Sequence, residues 1–144
     1  MSRVIGMCIG VAVSLQNDDL TTAVVEGADT MKLREFSRRL RRQVELAREG
    51  VDQARQPASL ILTSMTSFNI PHGIPVIVPP AVATLLLSSP QKKVMLDGDK
   101  PVYREFINLS LTIDHRVMNG SSAGAFLNEV KAKIEGFDLK TDLL

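Results

Sequence analysis

Apolar residues run almost unbroken from Val4 to Leu15 and again from Leu20 to Val25, with the polar stretch Gln16-Asn17-Asp18-Asp19 between them. Two short apolar runs divided by a turn signal predict two buried strands. From Leu33 the period changes. Leu33, Phe36, Leu40, Val44 and Ala47 recur at spacings of three and four, which predicts one helix with a single apolar stripe. Asp29 or Thr30 can cap its start near Met31, and Gly50 stands where a helix C-cap is expected. Gln53 to Pro57 is a connector, and Ser59 to Thr66 alternates loosely as a strand does. Phe68 to Pro80 holds Pro71, Gly73, Pro75, Pro79 and Pro80 and predicts an ordered loop. Ala81 to Ser88 is a further apolar strand. Asp97-Gly98 is a hairpin signal between Lys92–Leu96 and Val102–Arg104. Ile107, Leu109, Leu111 and Ile113 face one way and Asn108, Ser110 and Thr112 the other, so Glu105 to Ile113 predicts a strand that delivers His115 just past its end. Ser121 or Ser122 can cap a last helix whose buried stripe is Ala123, Phe126, Leu127, Val130 and Ile134, with Gly136 ending it.

Composition narrows the function classes. The chain has 144 residues, enough for one domain with its own core. Apolar residues make up 44% and charged residues 23%, ordinary values for a soluble globular protein. A net charge of +1 points to neither nucleic acid nor an anionic membrane, and a chain with no Trp and one Tyr offers no base-stacking surface. The single cysteine, Cys8, excludes an internal disulfide framework and fits a reducing, cytoplasmic setting. Arg3 followed by Val4 to Val13 imitates a short signal peptide, but Gly6 and Gly10 interrupt the run and an acidic turn with a second apolar run follows, so a buried strand is expected.

The candidate chemistry lies in Asp114-His115-Arg116-Val117-Met118-Asn119-Gly120. Histidine changes charge near neutral pH, and a fixed imidazole at a strand end can serve as a general base. The other histidine, His72, sits in the Pro/Gly loop and reads as a loop residue. Lys32, Arg34, Arg38, Arg39, Arg41 and Arg42 crowd the outer face of the first helix, where Glu35, Glu45 and Glu49 partly balance them; this reads as a solvated face.

The order of elements and the motif together resemble the catalytic domain of the dihydrolipoamide acyltransferases, the core components of 2-oxo acid dehydrogenase complexes, which share the fold of chloramphenicol acetyltransferase. The resemblance rests on Ile9-Gly10-Val11-Ala12-Val13, on Leu20 to Val25 with Gly27-Ala28-Asp29, on the helix ending Ala47-Arg48-Glu49-Gly50, on Val78-Pro79-Pro80 before an apolar strand, and on Leu109 to Gly120. It implies an α/β (α+β) fold with a mixed sheet and flanking helices. Residues 1–144 then form a single, truncated acyltransferase-like domain, because the match begins where the family domain is already about half built; no lipoyl domain is expected.

The resemblance further implies that His115 is a general base, taking a proton from the thiol of coenzyme A or of dihydrolipoamide. No bound cofactor is expected; coenzyme A or a lipoyl or pantetheine thiol enters as co-substrate. An oxyanion donor is implied on the strand before the Pro-Pro segment, which lands on Thr63, with Ser64 one residue away. The family site lies between subunits of a trimer, so Thr63 would serve His115 of a neighbour. Where the family carries an aspartate paired to an arginine, this chain has Asn119, which keeps the shape without a buried charge. A terminal apolar segment, Leu143-Leu144 with Leu139 and Phe137, would dock a neighbouring trimer to build a cage. Lipoyl or carrier domains and other complex components are the implied partners. Two functions follow: an acyltransferase, or a non-catalytic acyltransferase-like scaffold that trimerises and organises an assembly.

Overall fold

The computed structural model describes residues 6–16, 19–51, 53 and 58–142. Strand β1 (Ile9–Ser14) and strand β2 (Leu20–Val25) form an antiparallel pair in the register Ile9↔Val25 to Ser14↔Leu20. The turn between them is closed by the Leu15 N–H donating to the Asp19 carbonyl at 2.8 Å. The expected first strand is therefore shorter than Val4 to Leu15, and its start, with Arg3, lies outside the described residues. Helix α1 (Leu33–Arg48) follows, then strand β3 (Leu60–Ser64) parallel to β1, strand β4 (Ala83–Leu87) parallel to β3, and, past a hairpin, strand β7 (Leu109–Ile113) antiparallel to β4. The sheet order is β2-β1-β3-β4-β7. Helix α2 (Gly120–Glu135) closes the chain. This is the mixed α/β architecture expected from the sequence.

Paired residues share a face of the sheet, so the register sorts the core into two layers. One face carries Val13 and Ala23 under Val44 and Ala47 of α1, and Leu60, Ala83 and Leu85 under Phe126, Leu127 and Val130 of α2. Both helices thus cover the same side. The opposite face carries Cys8, Val24, Ala58, Ile61 and Ala81. There the proline-rich segment 66–80 lies against the sheet: the Thr112 hydroxyl donates to the Pro75 carbonyl at 2.6 Å, and the Asn108 amide to the Pro71 carbonyl at 2.8 Å. Gly10 is needed on this face, since a Cβ there would stand 2.5 Å from Ile61 Cδ1 and 3.2 Å from Ala58 Cβ.

Several boundaries depart from the sequence expectation for identifiable reasons. Asp29 and Thr30 do not cap α1; they belong to a short 3-10 turn, Ala28–Thr30, where the Asp29 carboxylate accepts the Met7 N–H at 2.6 Å. The helix starts later, with Lys32 at its N-cap and no side-chain cap bond, and Leu33 at the head of its apolar stripe remains 44% exposed. Gly50 takes φ +90, as a residue closing a helix does. Neither Ser121 nor Ser122 caps α2; the N-cap is Asn119. Glu105 to Ile113 is not one strand. Strands β5 (Gln91–Asp97) and β6 (Lys100–Phe106) make a separate two-stranded sheet, and β7 begins afresh at Leu109. Ser88 forces the break: fully buried, its hydroxyl accepts the Asn108 N–H at 2.7 Å and its own N–H donates to the Asn108 carbonyl at 3.0 Å, anchoring the chain where it passes from one sheet to the other.

Gln53, expected in a connector, is instead a buried tie. Its Oε1 accepts the Val24 N–H of edge strand β2 at 2.8 Å, and its Nε2 donates to the Gln43 carbonyl of α1 at 2.9 Å. Removing it takes the partner from the Val24 N–H and cuts the tie to α1, whose Gln43 carbonyl keeps its helical bond. Gln53→Ala is therefore expected to lower unfolding free energy by about 1–3 kcal/mol, read from urea denaturation midpoints at unchanged m-value; a change below measurement error would refute the tie.

Candidate active site

The His115 turn is built by its predecessor. Asp114 continues the β7 ladder by donating its N–H to the Val82 carbonyl at 2.8 Å. Its carbonyl then accepts the N–H groups of Val117 at 2.9 Å and Met118 at 3.1 Å, which reverses the chain immediately after the strand. Its carboxylate accepts the Arg116 N–H at 3.0 Å and the Arg116 guanidinium through Nε at 2.9 Å and Nη2 at 2.6 Å. His115 is the residue enclosed by this loop. Its exposed imidazole borders an open depression of about 520 Å³, walled by Ile77, Pro79, Pro80, Ala81, Val82 and Ile113 and by the Asp114–Arg116 pair. The Val78-Pro79-Pro80 segment thus meets the histidine turn in space.

Arg116 holds the Asp114 carboxyl down to about 2, first through the guanidinium hydrogen bonds and then through its backbone N–H; the guanidinium is raised in return. This pair is absent from the sequence expectation. The signal was visible as opposite charges flanking the histidine, but the three- and four-residue spacings that pair side chains on helices do not cover it. A turn brings positions two apart together.

Of the expected site residues, Asn119 follows the turn as the N-cap of α2. It is exposed and makes no side-chain cap bond. The expectation that it stands in for a buried carboxylate is corrected: in this chain position 119 is not buried, so an aspartate there would face solvent. Thr63, half-buried near the end of β3, has a hydroxyl without a hydrogen-bond partner among the described residues. The Ser64 hydroxyl is engaged with Thr66, at 2.9 Å from its Oγ1 and accepting its N–H at 3.3 Å.

The structure does not bring Thr63 and His115 of one chain together. Ile113 pairs with Ala83 and Ala83 with Leu60, whereas Thr63 is level with Leu86 and Ser110. The two site residues are five levels apart, roughly 16 Å along the strands, at opposite ends of the sheet. His72 remains a loop residue, its Nδ1 3.2 Å from the Asn108 amide. Arg34, Arg38, Arg41 and Arg42 line an open depression on the outer face of α1 with Ser37 and Glu45, and Arg39 pairs with Glu35 at 2.8 Å. Leu139 is exposed, and Leu143 and Leu144, expected to anchor a cage, lie outside the described residues. Among the described residues no group of three or more His, Cys, Asp or Glu side chains could hold a metal ion, and no helix is long and apolar enough to cross a membrane.

A five-stranded mixed sheet with both helices on one face and a histidine turn after its last strand defines an acyltransferase-type core. The family model described as 2-oxoacid dehydrogenases acyltransferase (catalytic domain) matches residues 6–141, and the chain belongs to that family. One relative is the dihydrolipoyllysine-residue acetyltransferase component of the acetoin cleaving system of Bacillus subtilis, 30% identical over 129 residues that cover 88% of this chain and 32% of that protein. The chain therefore spans about a third of the length of this curated relative. Among solved structures, Azotobacter vinelandii dihydrolipoamide acetyltransferase superposes with a TM-score of 0.81 at 27% identity, covering 100% of this chain and 58% of that one. That crystallographic and enzymatic work concerns the roles of a serine, a histidine and an asparagine in its catalytic mechanism. In its numbering the serine precedes the histidine by 52 positions and the asparagine follows it by four. The cubic core of the pyruvate dehydrogenase multienzyme complex superposes with a TM-score of 0.80 at 28% identity, covering 96% of this chain and 56% of that one.

The Asp114 carboxyl sits below the ordinary aspartate value near 3.9, so its ion pair, screened by solvent around Arg116, contributes a small stability that is complete above about pH 4 and is lost as pH falls through about 2. The stability difference between the parent and Asp114→Asn is expected to be constant above pH 4 and to shrink toward zero by pH 2. Thermal midpoints of both proteins across that range check it; a difference that stays constant to pH 2 counts against the pairing.

Proposed function

We propose that this chain is the catalytic part of a thioester acyltransferase of a 2-oxo acid dehydrogenase complex. It moves an acyl group between a lipoyl or carrier-protein thiol and coenzyme A or another pantetheine thiol, in the cytoplasm. The observation that carries this is spacing combined with position. Thr63 precedes His115 by 52 residues and Asn119 follows it by four, the intervals that separate the serine, histidine and asparagine of the Azotobacter vinelandii enzyme.

His115, exposed at the edge of its depression, takes the proton from the attacking thiol. The thiolate adds to the thioester carbonyl, and the Thr63 hydroxyl donates to the oxyanion of the tetrahedral intermediate. Thr63 is preferred over Ser64, whose hydroxyl is already engaged with Thr66. Collapse of the intermediate breaks the old carbon–sulfur bond, and the departing thiolate takes the proton back from His115. Neither residue reaches the other within one chain, so Thr63 of one copy serves His115 of the next, in a homotrimer. Asn119, beside the turn, corresponds by spacing to the asparagine. A larger cage, closed by the terminal leucines, is the assembly in which lipoyl domains and other complex components meet this site.

With acetyl-coenzyme A and dihydrolipoamide as substrates, His115→Ala is expected to lower turnover by about 10²–10⁴-fold and Thr63→Val by about 10²–10³-fold. Mixing the two inactive variants should restore about a quarter of the sites, because some interfaces then pair an intact Thr63 with an intact His115. Unchanged turnover in His115→Ala removes His115 as the base, and no turnover in the parent as well as the variant leaves a scaffold. Loss in both variants without recovery on mixing removes the shared site.

A further inference from the structure

We infer that Asp114 and Arg116 form a charge-neutral clamp that positions His115 and stiffens the histidine turn. The inference rests on His115 being the base. Asn119 is exposed and makes no side-chain cap bond, so its side chain does not hold the turn. Asp114, in contrast, bonds on both sides of His115. Its N–H is fixed to Val82, its carbonyl to Val117 and Met118, and its carboxylate to the main chain and side chain of Arg116. The carboxylate side chain is only 18% exposed, whereas that of Arg116 is 89% exposed. A solvent-facing ion pair adds little to global stability, so its consequence falls on local geometry instead. Losing the carboxylate would leave the turn with main-chain bonds alone.

The pair also sets the local field. Among the described residues lining the depression, the only charged side chains beside the imidazole are Asp114 and Arg116. Together they cancel. Either alone would bias the imidazole: an unpaired Arg116 against its protonated form, an unpaired Asp114 toward it. In a solvent-like dielectric, one uncompensated neighbouring charge shifts the titration by about half a pH unit. A side chain that merely supports the fold would not move that titration in opposite directions when its two halves are removed in turn.

The test uses the full chain with isotope-labelled histidine, and the variants Asp114→Asn, Arg116→Leu and Arg116→Lys. The His115 ring resonances are expected to titrate about half a pH unit lower in Asp114→Asn and about half a unit higher in Arg116→Leu, with Arg116→Lys restoring most of the parent midpoint. In the acyl-transfer assay kcat should fall about tenfold in the first two variants with KM within about twofold, and the double variant should be no worse than the weaker single one, as for residues acting as a unit. Midpoints that stay fixed, or that move together, overturn the clamp even if His115→Ala is inactive. If His115→Ala keeps full turnover while the midpoints still diverge, the base assignment falls and the pairing stands. If the parent itself shows no turnover, the ring titration alone decides the clamp.

Discussion

The antiparallel pairing of β7 with β4 is the constraint on which the site depends. Because β3 and β4 run parallel and β7 runs back against them, the end of β7 lies beside the beginnings of the other two. The histidine turn is therefore delivered to one end of the sheet and Thr63 to the other. Side-chain motion cannot close a gap of roughly five strand residues, about 16 Å. In the proposed mechanism a single copy therefore cannot complete a site from its own Thr63 and His115, and the pairing register makes self-association a chemical requirement of that mechanism rather than a packing detail.

Most of the frame was legible from residue pattern, and the reasons differ along the chain. Leu20 to Val25 was read to the residue because its turn and its apolar run coincide. The hairpin around Gly98 was marked by a dipeptide with a defined backbone demand, and Gly98 takes φ +61. What failed was partnership. The alternation from Glu105 to Ile113 is genuine, but periodicity records which way side chains point and not which sheet receives them; Ser88 decides that from outside the segment. Gln53 was hidden for the same reason, since a buried tie between an edge strand and a helix has no local pattern.

The candidate residues could be named from the sequence, and their arrangement could not. His115 and its spacing to Thr63 and Asn119 were visible in the sequence; that Pro79-Pro80 borders the histidine was not. The role assumed for position 119 was not sustained, because exposure depends on what covers the start of α2 and no nearby residue encodes that cover. The electrostatic partner of the turn lay instead two residues apart across His115 itself, a local arrangement that only the fold of the turn reveals.

The hairpin of β5 and β6 has a consequence for how the sheet assembles. It lies wholly between β4 and β7, and its ends meet where Ser88 binds Asn108, twenty positions along the chain. A local hairpin forms on the microsecond scale and needs no distant contact. Once zipped, it leaves Ser88 and Asn108 almost adjacent, so the chain need not search for the β4–β7 register through a loose loop. The appendage that contributes no strand to the main sheet thereby shortens the route by which its last strand finds its place.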